Sequence, residues 1–272
     1  MKVYAVIGEK LPHSLSPQIH NQMMDIINID GRYVILEIAR ENLPKIVDSL
    51  KALNIAGVSV TIPYKTDIMP YLDEISEEAN SIGAVNVIDI KSGRATGYNS
   101  DYYGFGLMLK EAEIDVKGKE VVQLGAGGAG KASIAYVHAA GAKSIRVVAR
   151  NPEKLAVLKE RFPYIETSLF SETELIKGEV LVNATPIGMY PNINDCPISP
   201  EIIGRFTAAA DLIYNPLETQ FIKHAKEKGM KYAGGLYMLL YQAVKAQEIW
   251  QERTIDTALV APIYDELKKI FN

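Results

Sequence analysis

Cysteine is nearly absent from this chain. Cys196 stands alone, so no disulfide can form within it. Histidine is scarce too, and His13, His20, His138 and His224 show no zinc-ligand spacing with Cys196, so no metal is expected. Basic charge is in deficit: the net charge of −4 argues against a nucleic-acid partner, whose affinity comes chiefly from a basic face. No apolar run approaches the roughly 20 residues that cross a bilayer. Met1 to Pro12 reads as a strand and turn in place of a signal-peptide core, so a soluble cytoplasmic protein is the expectation. Internal repeats and low-complexity tracts are missing. With 48% apolar residues, the 272-residue chain suits two modest domains or one large α/β unit.

What it does have is a glycine-rich junction. Val121-Val122-Gln123-Leu124 runs straight into Gly125-Ala126-Gly127-Gly128-Ala129-Gly130. A short apolar run of this kind is a buried parallel strand. The glycines permit a tight turn, a close approach of backbone to a pyrophosphate, and close packing of the following helix, expected over Ala132 to Ala140. That helix would turn its free N–H groups toward the phosphates. About 120 residues precede the junction, enough for a separate domain.

Those residues alternate strand and helix signals. Val3–Ile7, Tyr33–Ile38 and Val58–Ile62 read as strands, and Ala84–Ile90 with Arg94–Tyr98 as a hairpin. Ser16-Pro17 opens a helix, with Ser16 as N-cap. Leu43–Leu53 and a linking helix near Tyr102–Ala112 follow. Beyond the glycine loop, Ile145–Ala149, Val180–Asn183 and Ala208–Ile213 continue as strands. Tyr237–Gln251 and Ile255–Phe271 are helical, with no strand of their own. The fold class is therefore α/β, with an N-terminal, mostly parallel domain and a Rossmann-type doubly wound domain. The C-terminal helices return to the first domain. The boundaries are 1–101 plus 236–272 for the first and 102–235 for the second.

Four strings place reactive side chains where strands end, which is where open α/β sheets bind ligands. His13-Ser14-Leu15-Ser16-Pro17 puts two hydroxyls at a helix start, able to hold a small carboxylate, although Ser16 can also serve only as a cap. Thr61-Ile62-Pro63-Tyr64-Lys65 follows a buried strand. Gly83-Ala84-Val85-Asn86 offers an amide. Asn99-Ser100-Asp101 sets an acid at the start of the linking helix, where a dipole-favoured carboxylate is the plainer explanation. The second glycine-domain strand ends Val147-Val148-Ala149-Arg150. It lacks the acid that binds the ribose 2′-OH of NAD, and Arg150, with Lys154, can bind a 2′-phosphate.

In order and over essentially the full length, these strings resemble the shikimate dehydrogenase family. Asn183-Ala184-Thr185 with Gly188-Met189, Asp211-Leu212-Ile213-Tyr214 and Gly235-Leu236 with Met238-Leu239 and Gln242 add to the match. The resemblance implies reversible NADPH-dependent reduction of 3-dehydroshikimate to shikimate, a step toward aromatic amino acids. It implies Lys65 and Asp101 as the catalytic pair. Ser14, Ser16 and Tyr214 would hold the substrate carboxylate, with Thr61, Asn86 and Gln242 on the ring hydroxyls or the carboxylate edge. Gly125, Ala126, Gly127, Gly128, Ala129, Arg150, Leu212 and Gly235 would line NADP, with Glu77 a weaker member. Such a chemistry needs a hydride from the nicotinamide and a proton from the protein, and an ammonium supplies the proton while steadying the nascent alkoxide.

The chain departs from the family at Ser59, where Asn is usual, at Lys10 and Pro12, at Ala149 and at Pro186. None removes the catalytic pair, and Ser59 bears on substrate affinity more than on reaction type. The alternatives are an NAD-linked quinate/shikimate dehydrogenase and a dinucleotide sensor without catalysis, the second disfavoured because sensing requires neither Lys65 nor Asp101. Methylenetetrahydrofolate dehydrogenase shares the general architecture, but the carboxylate-binding serines favour the small hydroxy-acid reading. The partners implied are the small substrate and, at most, a second copy of the chain.

Overall fold

A computed structural model describes residues 1–12 and 14–271, so His13 lies outside the described residues. The chain divides into two compact units, Met1–Tyr103 with Leu240–Glu266, and Gly104–Leu239 with the residues from Leu267 onward.

The first unit is built on β1 (Lys2–Gly8), α1 (Ser16–Ile26), β2 (Gly31–Glu37), α2 (Leu43–Ala52), β3 (Ile55–Val60), β4 (Glu74–Ile75), α3 (Glu77–Ile82), β5 (Val87–Lys91), β6 (Arg94–Tyr98) and the start of α4 (Asp101–Glu111). Its sheet runs β2-β1-β3-β5-β6-β4. The β1–β2, β1–β3 and β4–β6 pairs are parallel, and the β5–β6 hairpin joins antiparallel through β5 to β3. Period-2 alternation sends Ala5 and Ile7 to one face, with Val47, Leu50, Val58 and Tyr64. Tyr4 and Val6 face the other, with Met24, Tyr33 and Trp250.

Two local expectations change. Ala84–Asn86 is not strand: Val85 N–H bonds the Lys65 carbonyl (2.7 Å) and Asn86 N–H that of Tyr98 (3.0 Å), so these residues close a turn between two site segments. Ser16 is not the cap of α1. Leu15 occupies that position with no side-chain cap bond, and Ser16 begins the helix proper. Its hydroxyl is therefore released from capping.

The second unit holds β7 (Glu120–Leu124), α5 (Gly128–Ala139), β8 (Ser144–Ala149), α6 (Pro152–Arg161), β9 (Glu166–Leu169), β10 (Val180–Asn183), α7 (Pro200–Ile203), β11 (Ala208–Asp211), α8 (Gln220–Glu227) and β12 (Lys231–Ala233). The sheet is parallel throughout, in the order β12-β11-β10-β7-β8-β9. Strand order reverses at β7, whose carboxyl end carries the glycine loop. That is the switch point at which doubly wound sheets bind ligands. Both faces are covered: Val121, Val147, Val180 and Val182 pack with Phe105 and Ile134, while Val122, Val148 and Leu181 pack with Phe206 and Phe221. The edge strands β9 and β12 escape a sequence reading because they are short and polar.

The last helices are α9 (Leu236–Gln251) and α10 (Ala261–Ile270). Trp250 of α9 lies across β3, where any side chain at Gly57 would fall on its indole, and its Nε1–H donates to the Ile88 carbonyl at 3.1 Å. This contact holds the helix on the first sheet. The end of the chain behaves otherwise: from Leu267 it clusters with the second unit, where the Phe271 ring meets Tyr214 with centroids 6.0 Å apart.

Candidate active site

In the first unit, strand ends deliver the expected side chains to one place. Thr61 N–H pairs with the Ile7 carbonyl (3.0 Å) as the last step of the ladder. Pro63 can donate no further bond, so the chain turns and carries Lys65 off the sheet. Across from it, Asp101 opens α4. Lys65 Nζ lies 2.5 Å from Asp101 Oδ2, with the side chains 14% and 6% exposed. The other carboxylate oxygen accepts from Asn86 Nδ2 at 2.9 Å.

A second layer fixes this pair. Asn86 Oδ1 accepts from Ser100 N–H at 2.7 Å, and its amide also meets Ser100 Oγ at 3.0 Å. Ser100 Oγ reaches Gln242 Oε1 of α9 at 3.4 Å. Asn99 ties the same turn down, donating to the Ala84 carbonyl (2.8 Å) and accepting from Tyr102 N–H (3.2 Å). Lys65, Asp101, Asn86 and Gln242 are thus linked, through Ser100, whose role the sequence does not disclose. The only hint is that three polar residues in a row precede an apolar helix. Thr61 stays on the same segment, four residues before Lys65.

Ser14 and Ser16 follow β1 at the start of α1, both half-buried, with Ser14 Oγ accepting from Ser16 N–H at 3.4 Å. Glu77 is on the exposed first turn of α3, which Ser76 caps by accepting from Ala79 N–H at 3.2 Å.

In the second unit the glycine loop has the form its spacing predicts. Gly125 has φ +85°, and a Cβ there would sit 2.9 Å from the Ala184 carbonyl oxygen. Gly127 caps α5, and a Cβ on it would meet nothing within 4 Å. Backbone is therefore open at the position where a pyrophosphate needs to approach it, so the loop, with Ala126, Gly128 and Ala129, fits a dinucleotide. Gln123 braces it from within, donating to the Gly125 (2.8 Å) and Gly130 (2.9 Å) carbonyls while accepting from Ser133 Oγ (2.7 Å). A glutamine inside an apolar strand is the signal that would have found it.

Arg150 follows β8, exposed, with no ion pair among the described residues, and is free to take an anion. Asn151 Oδ1 is spent capping α6 on Lys154 N–H (2.9 Å). Leu212 and Gly235 come together: Gly235 N–H bonds the Ile213 carbonyl (3.0 Å), and a Cβ on Gly235 would collide with the Leu212 backbone. Tyr214 follows on the same loop, its phenol pushed up by burial.

That loop hangs on Asp211. Its carboxylate accepts from Thr219 Oγ1 (2.6 Å), Ile213 N–H (3.0 Å) and Asn183 Nδ2 (3.1 Å), yet burial pushes it up to about 7. A carboxyl raised above its ordinary value of 3.8 favours folding while protonated in the native state. The stability it contributes is full below about pH 4 and is lost as pH rises through about 7. Asp211→Asn should remove this dependence, flattening the slope of stability by up to about 1.4 kcal/mol per pH unit between those limits. Denaturant melts of both proteins at pH 4.5, 5.5 and 6.5 test this; parallel curves would show that Asp211 is already ionised.

Among the described residues no cluster of three His, Cys, Asp or Glu side chains could hold a metal, and no helix is long and apolar enough to cross a membrane.

A parallel sheet with a glycine loop at its switch point, in one chain with an α/β unit carrying a buried Lys–Asp pair, is the architecture of two-domain dinucleotide-dependent oxidoreductases. The profile of the shikimate dehydrogenase substrate binding domain matches residues 6–88. The NADP(+) shikimate dehydrogenase of Clostridium beijerinckii is 46% identical over 271 residues, all of both chains. The crystal structure of shikimate dehydrogenase 1 from Peptoclostridium difficile superposes with a TM-score of 0.92 at 45% identity, covering 100% of this chain and 99% of that one. That of the Thermus thermophilus shikimate 5-dehydrogenase, in complex with NADP(H) and shikimate, gives 0.88 at 32% identity over the whole of both chains. The chain belongs to the shikimate dehydrogenase family.

Proposed function

We propose that this protein catalyses the reversible NADPH-dependent reduction of 3-dehydroshikimate to shikimate in the cytoplasm, with Lys65 as proton donor and acceptor. The buried Lys65–Asp101 pair carries the reading. An ammonium held at 2.5 Å by a carboxylate is costly to bury and gains nothing for the fold that an apolar pair would not supply. Its value is chemical. The dinucleotide, when bound, supplies or accepts the hydride. Lys65 Nζ holds a proton where the ketone oxygen becomes an alkoxide and takes one back in the oxidation direction. Asp101 steadies the ammonium and, through Asn86 and Ser100, stays fixed itself. Asn86, Thr61 and Gln242 would bind the ring hydroxyls. Ser14, Ser16 and Tyr214 would bind the carboxylate. The glycine loop, Leu212, Gly235 and Arg150 would hold NADP, with Glu77 at its margin.

The test is absorbance at 340 nm with shikimate and quinate, each offered NADP⁺ and NAD⁺. Shikimate with NADP⁺ should give the highest kcat/KM. Faster turnover of quinate with NAD⁺ would move the protein to the quinate-linked reading, and nucleotide binding without turnover would make it a sensor.

A narrower expectation concerns the serines. Ser14→Ala and Ser16→Ala should each raise KM for shikimate about 10-fold or more, since each removes a hydrogen bond to a charged group worth about 1.5–3 kcal/mol. Thermal stability should hardly move for Ser16→Ala, because its side chain makes no cap bond. A drop in melting temperature with KM intact would return Ser16 to a structural role.

A further inference from the structure

Beside Ser16 lie two buried hydroxyls, those of Tyr33 and Ser59, to which the proposed reaction assigns no part. Tyr33 of β2 and Ser59 of β3 flank β1 and are 2% and 8% exposed. The Tyr33 hydroxyl faces the Ser59 side chain and the Ser16 hydroxyl. Neither the Tyr33 oxygen nor Ser59 Oγ, however, closes a hydrogen bond among the described residues. A buried polar group left this way costs about 1–3 kcal/mol.

Nothing else about Tyr33 is loose. Its ring stacks on His20 with centroids 4.2 Å apart and planes 9° from parallel. Its main-chain N–H and carbonyl both bond the Asn21 amide, at 2.9 and 3.1 Å. Trp250 closes the far side at 6.1 Å. His20 is fixed in turn: Gln247 Nε2 donates to its Nδ1 at 3.1 Å, because Gln247 Oε1 already accepts from Gln251. Burial brings His20 down to about 3, so the stack is neutral. The ring cannot swing its hydroxyl elsewhere, and burial pushes the phenol up, so it remains a proton donor.

We propose that Tyr33 is a positioning residue for substrate binding: its hydroxyl, fixed beside Ser59, donates to Ser16 Oγ and so directs the single Ser16 proton toward the substrate carboxylate. A serine hydroxyl has one proton and two acceptor sites, and a donor fixed behind it decides which way that proton points. The inference rests on Ser16 being a carboxylate ligand. It gives the buried Tyr33 hydroxyl a task that an apolar ring could not perform.

Tyr33→Phe should raise KM for shikimate, and Kd by calorimetric titration, about 3- to 10-fold, the worth of one neutral hydrogen bond. Its kcat and KM for NADP⁺ should stay unchanged. Melting temperature should hold or rise, since an unpaired buried hydroxyl is removed. Ser59→Ala should act in the same direction. In a Ser16→Ala background, Tyr33→Phe should have no further effect, because the two act through one bond. An unchanged KM, an equal rise in the Ser16→Ala background, or a loss of stability accompanying the rise would each overturn the role of Tyr33. Failure of the wild-type protein to turn over shikimate at all would instead overturn the reading on which it rests.

Discussion

Lys65→Ala is expected to lower kcat for shikimate oxidation by roughly 10²-fold or more, the usual cost of losing positioned acid–base help. The loss falls on kcat because the proton is shared most strongly in the transition state. KM for NADP⁺ should barely change, since Lys65 belongs to the first unit and the glycine loop to the second. The substitution also leaves Asp101 buried with Asn86 as its remaining side-chain donor. Stripping one partner from a buried pair costs on the order of 3 kcal/mol, so the variant should melt lower while remaining folded. Asp101→Asn should reduce kcat as well, by releasing the ammonium from its fixed position. If the two residues act as a unit, the double variant will be far from additive. Steady-state kinetics beside thermal melts separate these effects. Near-normal turnover by a folded Lys65→Ala protein would remove Lys65 from the mechanism.

Arg150→Ala is expected to raise KM for NADP⁺ about 10- to 100-fold, as one or two charge-assisted bonds to the 2′-phosphate are lost. NAD⁺, which has no such phosphate, should be nearly unaffected. Among the described residues Arg150 has no ion pair, so its guanidinium need not be released from one of them before binding, and its removal should leave stability unchanged. Lys154, one turn into α6, is the reason a residual preference for NADP⁺ should survive. Asn151 contributes less than its neighbourhood suggests, because its side-chain oxygen is committed to Lys154 N–H. Initial-rate kinetics with both nucleotides decide the matter. Equal loss for the two, or a wild-type preference for NAD⁺, would show that Arg150 reads no phosphate.

What the sequence by itself determined is local and chemical. The run of Val121 to Gly130 dictates strand, turn and helix, because alternation, glycine φ freedom and free N–H groups are properties of neighbouring residues. The missing acid after Val148 and the arginine beyond it are legible in the same local way, and point to NADP by their charge alone. Lys65 and Asp101 were legible as candidates, and the family resemblance named them as a pair, since each stands at a strand or helix end. What only tertiary structure decided involves residues distant in the chain. Ser100, bonded to Asn86, reaches Gln242 across 142 positions, and Tyr33 meets Ser59 only because β2 and β3 lie either side of β1. Ser16 reads as a cap until the helix start is placed one residue earlier, and Gln123 reads as an odd polar residue until the loop folds over it. Hydrogen-bond partners of this kind are fixed by strand order and helix packing, not by propensity, and short polar edge strands such as β9 and β12 form only because a neighbouring strand offers its unpaired backbone.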